Sequence, residues 1–174
     1  MSSDFWKERY KDSWDKAAQK EKMIVDLLEL KAGKKVELVG LGAGTTDYLT
    51  GSASDNNSVK GDADLYIREV DFFVEVTGPN IKVYSDAPLW VRPDKIQNAL
   101  EKTKNDVGKG HFVIHIIERK DDSTTLIRVV PITPELLNLP IIHPFIRGQQ
   151  ETYVEIPTNY KTVITIEAFI EMIK

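Results

Sequence analysis

Residues 61–78, GDADLYIREVDFFVEVTG, constrain the fold of this chain more than any other stretch. Strand-forming residues fall into two runs separated by Arg68, Glu69 and Val70, a pattern that predicts two strands joined by a tight turn. In the second run, period-two alternation assigns Phe72, Val74 and Val76 to one face and Asp71, Phe73, Glu75 and Thr77 to the other. With a turn centred near Glu69, Asp64 stands opposite or diagonal to Glu75. Like charges at cross-strand positions weaken a sheet, so a chain that keeps them in an apolar hairpin usually supplies a cation. Carboxylate oxygens suit hard divalent ions such as Mg²⁺ or Mn²⁺, which keep open positions for water and phosphate. On spacing alone, an equal alternative is that Asp64 only opens a strand and Glu75 is a solvated outward residue.

The composition fits one domain over residues 1–174, long enough to bury a core without staples. There are no cysteines, which rules out disulfides, a thiolate nucleophile and Cys-ligated zinc. No apolar run reaches the length of a membrane span, and the charged N-terminus is unlike a secretory signal, so the expected compartment is the cytoplasm. The net charge of −4 argues against nucleic-acid binding by bulk positive charge. A local basic groove is still compatible with it, because phosphate attraction depends on nearby Lys and Arg.

Three regions follow: an N-terminal helical region (1–33), a core (34–132) and a C-terminal extension (133–174). Residues 4–31 carry apolar spacings of three and four without Pro or Gly, with Ser3 as N-cap and Gly33 as stop. The stripe Trp6, Tyr10, Trp14 is expected to pack on the domain or a second subunit, with base stacking as the sharper alternative. Residues 35–41, KVELVGL, predict a buried strand, and 42–60 a long loop rich in Gly, Ser, Thr, Asn and Asp. After the hairpin come a turn at 78–80 and a short extended piece, IKVY. A helix follows from Arg92-Pro93-Asp94 to about Lys104, with Ile96, Ala99 and Leu100 inward. Strands are expected at 111–119, 124–132 and 153–156, an irregular Pro-rich segment at 133–150, and a final helix capped near Thr165. The order predicts an α/β or α+β fold with a central mixed sheet flanked by helices.

This order, with Glu21 in the first helix and the Asp64…Glu75 hairpin, resembles the PD-(D/E)xK nuclease superfamily. Within it, the nearest likeness is to archaeal Holliday-junction resolvases and related small restriction-like nucleases. The resemblance covers roughly residues 20–132 and implies a restriction-endonuclease-like core. It also implies that Asp64, Glu75 and Glu21, with the Val76 carbonyl, hold Mg²⁺ or Mn²⁺ for hydrolysis of DNA phosphodiesters, duplex or branched. Ala63 stands where the family has proline. Thr77 occupies the position of the family's lysine and cannot supply its charge. Lys95, in the first turn of the following helix, is the best substitute, since lysine migration to this helix is a known variation in the superfamily. Lys82 and Lys60 are weaker candidates. Arg92 and Lys95 would neutralise the flanking phosphate, with Lys60, Thr77 and the 42–60 loop contacting the substrate backbone. The aromatic N-terminal helix suits a homodimer, whose two-fold symmetry would match a symmetric DNA target.

Two other readings compete. Thr77 motivates a degenerate nuclease-fold module that binds nucleic acid or protein without cutting. The run VELVGLGAGT resembles the strand and Gly-rich turn of nucleotide or S-adenosylmethionine sites, but the helix such a fingerprint needs does not follow. His111 and His115 share a strand face and read as hydrogen-bonded sheet residues in preference to a metal pair. His143 has no evident partner.

Overall fold

The computed structural model describes residues 11–40, 63–146 and 148–174, the first four through their backbone alone. The stripe Trp6, Tyr10, Trp14, the cap Ser3, the 42–60 loop and Lys60 therefore lie outside the described residues and side chains.

Helix α1 (Lys11–Ala32) leads into β1 (Val36–Leu38), β2 (Leu65–Ile67) and β3 (Phe72–Thr77). Then come β4 (Leu89–Val91), α2 (Pro93–Lys104), β5 (Gly110–Glu118), β6 (Thr125–Pro131) and a 3₁₀ turn (Pro134–Asn138). Three short strands follow, β7 (Ile141–Ile142), β8 (Phe145–Ile146) and β9 (Gln149–Gln150), and then β10 (Tyr153–Ile156), β11 (Ile164–Thr165) and α3 (Ile166–Ile173). The main sheet has six strands in the order β1-β2-β3-β5-β6-β11. Its β3–β5 pair is parallel and the others are antiparallel, so the sheet is mixed. Parallel neighbours need a long crossover, and the segment carrying β4 and α2 provides it. A second sheet, β4-β10-β7, is antiparallel, and β8 pairs with β9.

Alternation along the central strands sends side chains into two apolar clusters on opposite faces of the main sheet. Leu65, Ile67, Val74, Val76, Phe112, Ile114 and Ile116 pack with Ile24 and Leu28 of α1 and with Phe169 of α3. Val113 and Val130 point the other way, toward Ile96 of α2 and toward Leu89, Val91, Val154 and Ile156 of the second sheet. The acidic hairpin therefore has one face sealed by α1 and α3 and the other turned toward α2.

The hairpin register is Leu65↔Val74, Tyr66↔Phe73 and Ile67↔Phe72, with Arg68 to Asp71 forming the turn. Asp71 sits at φ 58°, and Asp71 N–H donates to Arg68 O at 3.2 Å. A short polar side chain tolerates this left-handed backbone better than a bulky one, and Tyr66 Oη anchors it by donating to Asp71 Oδ1 at 2.7 Å.

Helix α3 starts at the expected cap: Thr165 Oγ1 accepts from Ala168 N–H at 3.1 Å. Thr165→Ala is expected to lower unfolding stability by about 1 kcal/mol, measured by chemical denaturation. The sequence reading missed β4 and left 133–150 irregular, where the fold has a 3₁₀ turn and three two-residue strands. The IKVY piece contributes a single bridge, Val83 to Arg119.

Candidate functional site

The hairpin ladder ends at Leu65↔Val74, and Asp64 stands one residue before it, its carboxylate and that of Glu75 both on the face turned toward α2. Asp64 is fixed by its backbone on both sides. Its N–H donates to Val74 O at 3.1 Å, and its carbonyl accepts from Val39 and Gly40 N–H at 3.0 and 3.3 Å. Its carboxylate Oδ2 accepts from Val76 N–H at 2.9 Å, which aims Oδ1 away from the strand.

Lys95 reaches this pair from the first turn of α2. Its Nζ lies 2.9 Å from Glu75 Oε2 and 3.9 Å from Asp64 Oδ1. All three side chains are buried, at 13%, 11% and 7% exposure for Lys95, Glu75 and Asp64. Lys95 Nζ and Glu75 Oε2 form a close ion pair at charge-assisted hydrogen-bond distance.

The protonation preferences of the group agree with one another. Burial, and then the Asp64 charge, push the Glu75 carboxyl well above its ordinary value, outweighing the pull of Lys95. Burial works against the Lys95 charge, but Glu75 and Asp64 together hold its ammonium above the usual lysine value. Both groups hold their protons more tightly than usual, Glu75 chiefly because it is buried and then because of the Asp64 charge, Lys95 because both acids attract its ammonium.

The chemistry of the donor set decides whether a divalent ion suits the site. Mg²⁺ is commonly held by one or two carboxylates plus water and substrate phosphate, without a full protein cage. Asp64 and Glu75 are such a pair, a carboxylate keeps lone pairs beyond those that Lys95 and the Val76 N–H engage, and a divalent cation would favour the ionised form of Glu75. The residues present fit the group.

Glu21 is buried at 4% exposure on α1, the helix whose Ile24 and Leu28 pack on the opposite sheet face. Among the described residues, no group of three His, Asp or Glu side chains is gathered closely enough to hold an ion. Arg92 caps the N-terminus of α2 with its guanidinium engaged by Asp94, Nε lying 3.0 Å from Oδ1. Its charge opposes that of Lys95. Lys82 pairs elsewhere, with Glu118 at 3.5 Å and Ser123 Oγ at 3.0 Å. Thr77 lies two residues beyond Glu75 on the same face, beside His115 of β5.

A cleft adjoins the acids, lined by Glu75, Lys95, Asn98, Lys102, Phe73 and His111 among others. Phe73 stacks on His111 with centroids 5.2 Å apart and planes 7° apart, and Lys102 Nζ lies 5.0 Å from the Phe73 ring centre. The sequence reading missed Asn98 and Lys102. Their spacing from Lys95, three and seven along one helix, is the signal that places all three on one face. His111 is hydrogen-bonded as expected, its Nε2 lying 2.8 Å from Val107 O. His115 departs from that expectation, since its Nδ1 is buried with no partner among the described residues.

The chain matches no protein-family model and no curated protein.

Proposed function

We propose that this protein is a metal-dependent phosphodiesterase of nuclease type, acting on DNA through Asp64, Glu75 and Lys95. The observation that carries the reading is the convergence of two buried carboxylates and one lysine from three separate elements. The likeness of this group to a PD-(D/E)xK site, with its lysine moved from the Thr77 position to α2, supports the restriction-endonuclease-like assignment.

A bound Mg²⁺ or Mn²⁺ would lower the pKa of an attached water and polarise a phosphoryl oxygen. Asp64 and Glu75, with the Val76 carbonyl, would hold it, and Asp64 is preset for this by the Val76 N–H bond. Lys95 supplies the positive charge needed where negative charge grows on the phosphate. Arg92, at the mouth of α2, neutralises the neighbouring phosphate.

The test is cleavage of plasmid, duplex and branched DNA in Mg²⁺ and Mn²⁺, beside calorimetric Mn²⁺ binding. We expect cleavage and Mn²⁺ binding in the native chain and neither in Asp64→Asn. Absence of both in the native chain would overturn the reading. Thr77, standing where the superfamily has lysine, favours one alternative: a non-cutting module of the same fold, identified by Mn²⁺ binding without cleavage of any substrate.

A further inference from the structure

Beyond the acidic pair, the same sheet face carries a second polar row, which ends in the Arg128 guanidinium. Thr77 of β3 pairs with His115 of β5, and His115 pairs with Arg128 of β6. The neighbouring row, Glu75–Val113–Val130, lies two residues away along the strands, a separation of roughly 6–7 Å. His115 is 2% exposed and Arg128 7%, while Thr77 is only partly buried, so the row meets solvent at Thr77.

Two nitrogens in this row lack partners among the described residues: Arg128 Nε, a donor, and His115 Nδ1, a donor in the tautomer that carries its proton there. The terminal nitrogens of Arg128 are used, donating to Ser85 O at 3.3 Å and Ala87 O at 3.1 Å, and they clasp the segment that crosses this face. Unsatisfied buried donors are uncommon because each forfeits its hydration without replacement. The charges acting on His115 are both positive. Burial, then Arg128 and Lys20, push its imidazole down to about 3. A buried guanidinium without a carboxylate is costly. One tetrahedral oxyanion would supply both the missing charge and acceptors for several donors at once.

The geometry points to an anion subsite made by His115 Nδ1, Arg128 Nε and the Thr77 hydroxyl, taking a phosphoryl group one step along the sheet from the Asp64–Glu75 pair. It rests on the phosphodiesterase reading for its natural occupant, a phosphate of the bound strand beside the one attacked. It also gives Thr77 a role. Where the superfamily has a lysine, this chain would present a hydroxyl backed by the His115 imidazole and the Arg128 guanidinium on the next two strands.

The experiment is heteronuclear NMR of the full-length, metal-free protein, following the Arg128 Nε–H and His115 ring nitrogen signals. Inorganic phosphate and a short single-stranded oligonucleotide are titrated separately at constant ionic strength. We expect both signals to shift and saturate, with phosphate affinity falling roughly tenfold in Arg128→Met. Thr77→Val should weaken binding several-fold while leaving the melting temperature in phosphate-free buffer unchanged. Should Arg128→Met fail to fold, the native titration and Thr77→Val still decide. A response to the oligonucleotide alone supports a strand phosphate as occupant, and a response to inorganic phosphate alone supports a free phosphorylated ligand. Signals that neither probe moves, or that chloride moves equally, would mean that water or an adventitious ion fills the space, and the subsite falls. No metal or cleavage enters, so the two readings fail separately. A phosphate response without cleavage sinks only the nuclease, and cleavage with silent His115 and Arg128 signals sinks only the subsite.

Discussion

Lys95→Met is expected to reduce Mg²⁺-dependent cleavage to background and to lower unfolding stability by about 3–5 kcal/mol. The stability loss arises because the substitution leaves Asp64 and Glu75 facing each other in a buried site without their shared ammonium. Methionine keeps most of the stem volume, so lost packing is a minor part of the effect. The measurement is urea denaturation beside a cleavage assay. A loss under 1 kcal/mol would mean that the acids are far better solvated than their burial indicates.

The sign of the accompanying pH dependence is fixed by the direction of the Glu75 shift. A carboxyl whose folded value lies above its unfolded value binds its proton more tightly in the fold, so acidification favours folding as pH drops through the raised value. Without the ammonium that pulls it down, Glu75 is held higher still. Lys95→Met should therefore regain stability on mild acidification. Lys95→Met combined with Glu75→Gln should recover most of the loss at neutral pH while remaining inactive. That pattern separates repulsion between buried acids from simple misfolding, because a packing defect would persist in the double variant.

The central hairpin was legible because its faces differ chemically: Phe72, Val74 and Val76 against Phe73, Glu75 and Thr77 define a period that only one register satisfies. That alternation put Asp64 opposite or diagonal to Glu75; the ladder itself stops at Leu65↔Val74, and the two carboxylates meet at Lys95. Lys95 was legible for a different reason, since Pro93 fixes where α2 begins and hence which residues lie in its first turn. Glu21 was singled out only by the family resemblance, and sequence spacing does not say on which face of the sheet α1 packs. The β4-β10-β7 sheet was hidden because strands of two or three residues are too short to show a period, and the prolines at 131, 134, 140 and 144 interrupt what pattern there is. The orphaned nitrogens of His115 and Arg128 were beyond reach altogether. Whether a buried donor finds a partner depends on the segment crossing above it, and a strand pattern carries no information about that.

Burial of His115 gives the protein an acid limit that does not depend on its function. Its folded value of about 3 lies below the ordinary 6.5, so between those values the unfolded chain binds a proton that the fold refuses. Stability therefore rises with pH across that window and is lost progressively as pH falls through it. The slope rises from about half of 1.36 kcal/mol per pH unit at pH 6.5 toward the full value below it, which predicts a loss of about 1.6 kcal/mol from this residue between pH 6.5 and pH 5. His115→Phe keeps a flat ring in the same space and cannot titrate. It should flatten this part of the stability–pH curve measured by urea denaturation, whatever it does to stability at neutral pH. Should native and variant curves run parallel from pH 6.5 to pH 5, His115 is protonated in the fold, and the row it shares with Arg128 must contain a compensating negative charge.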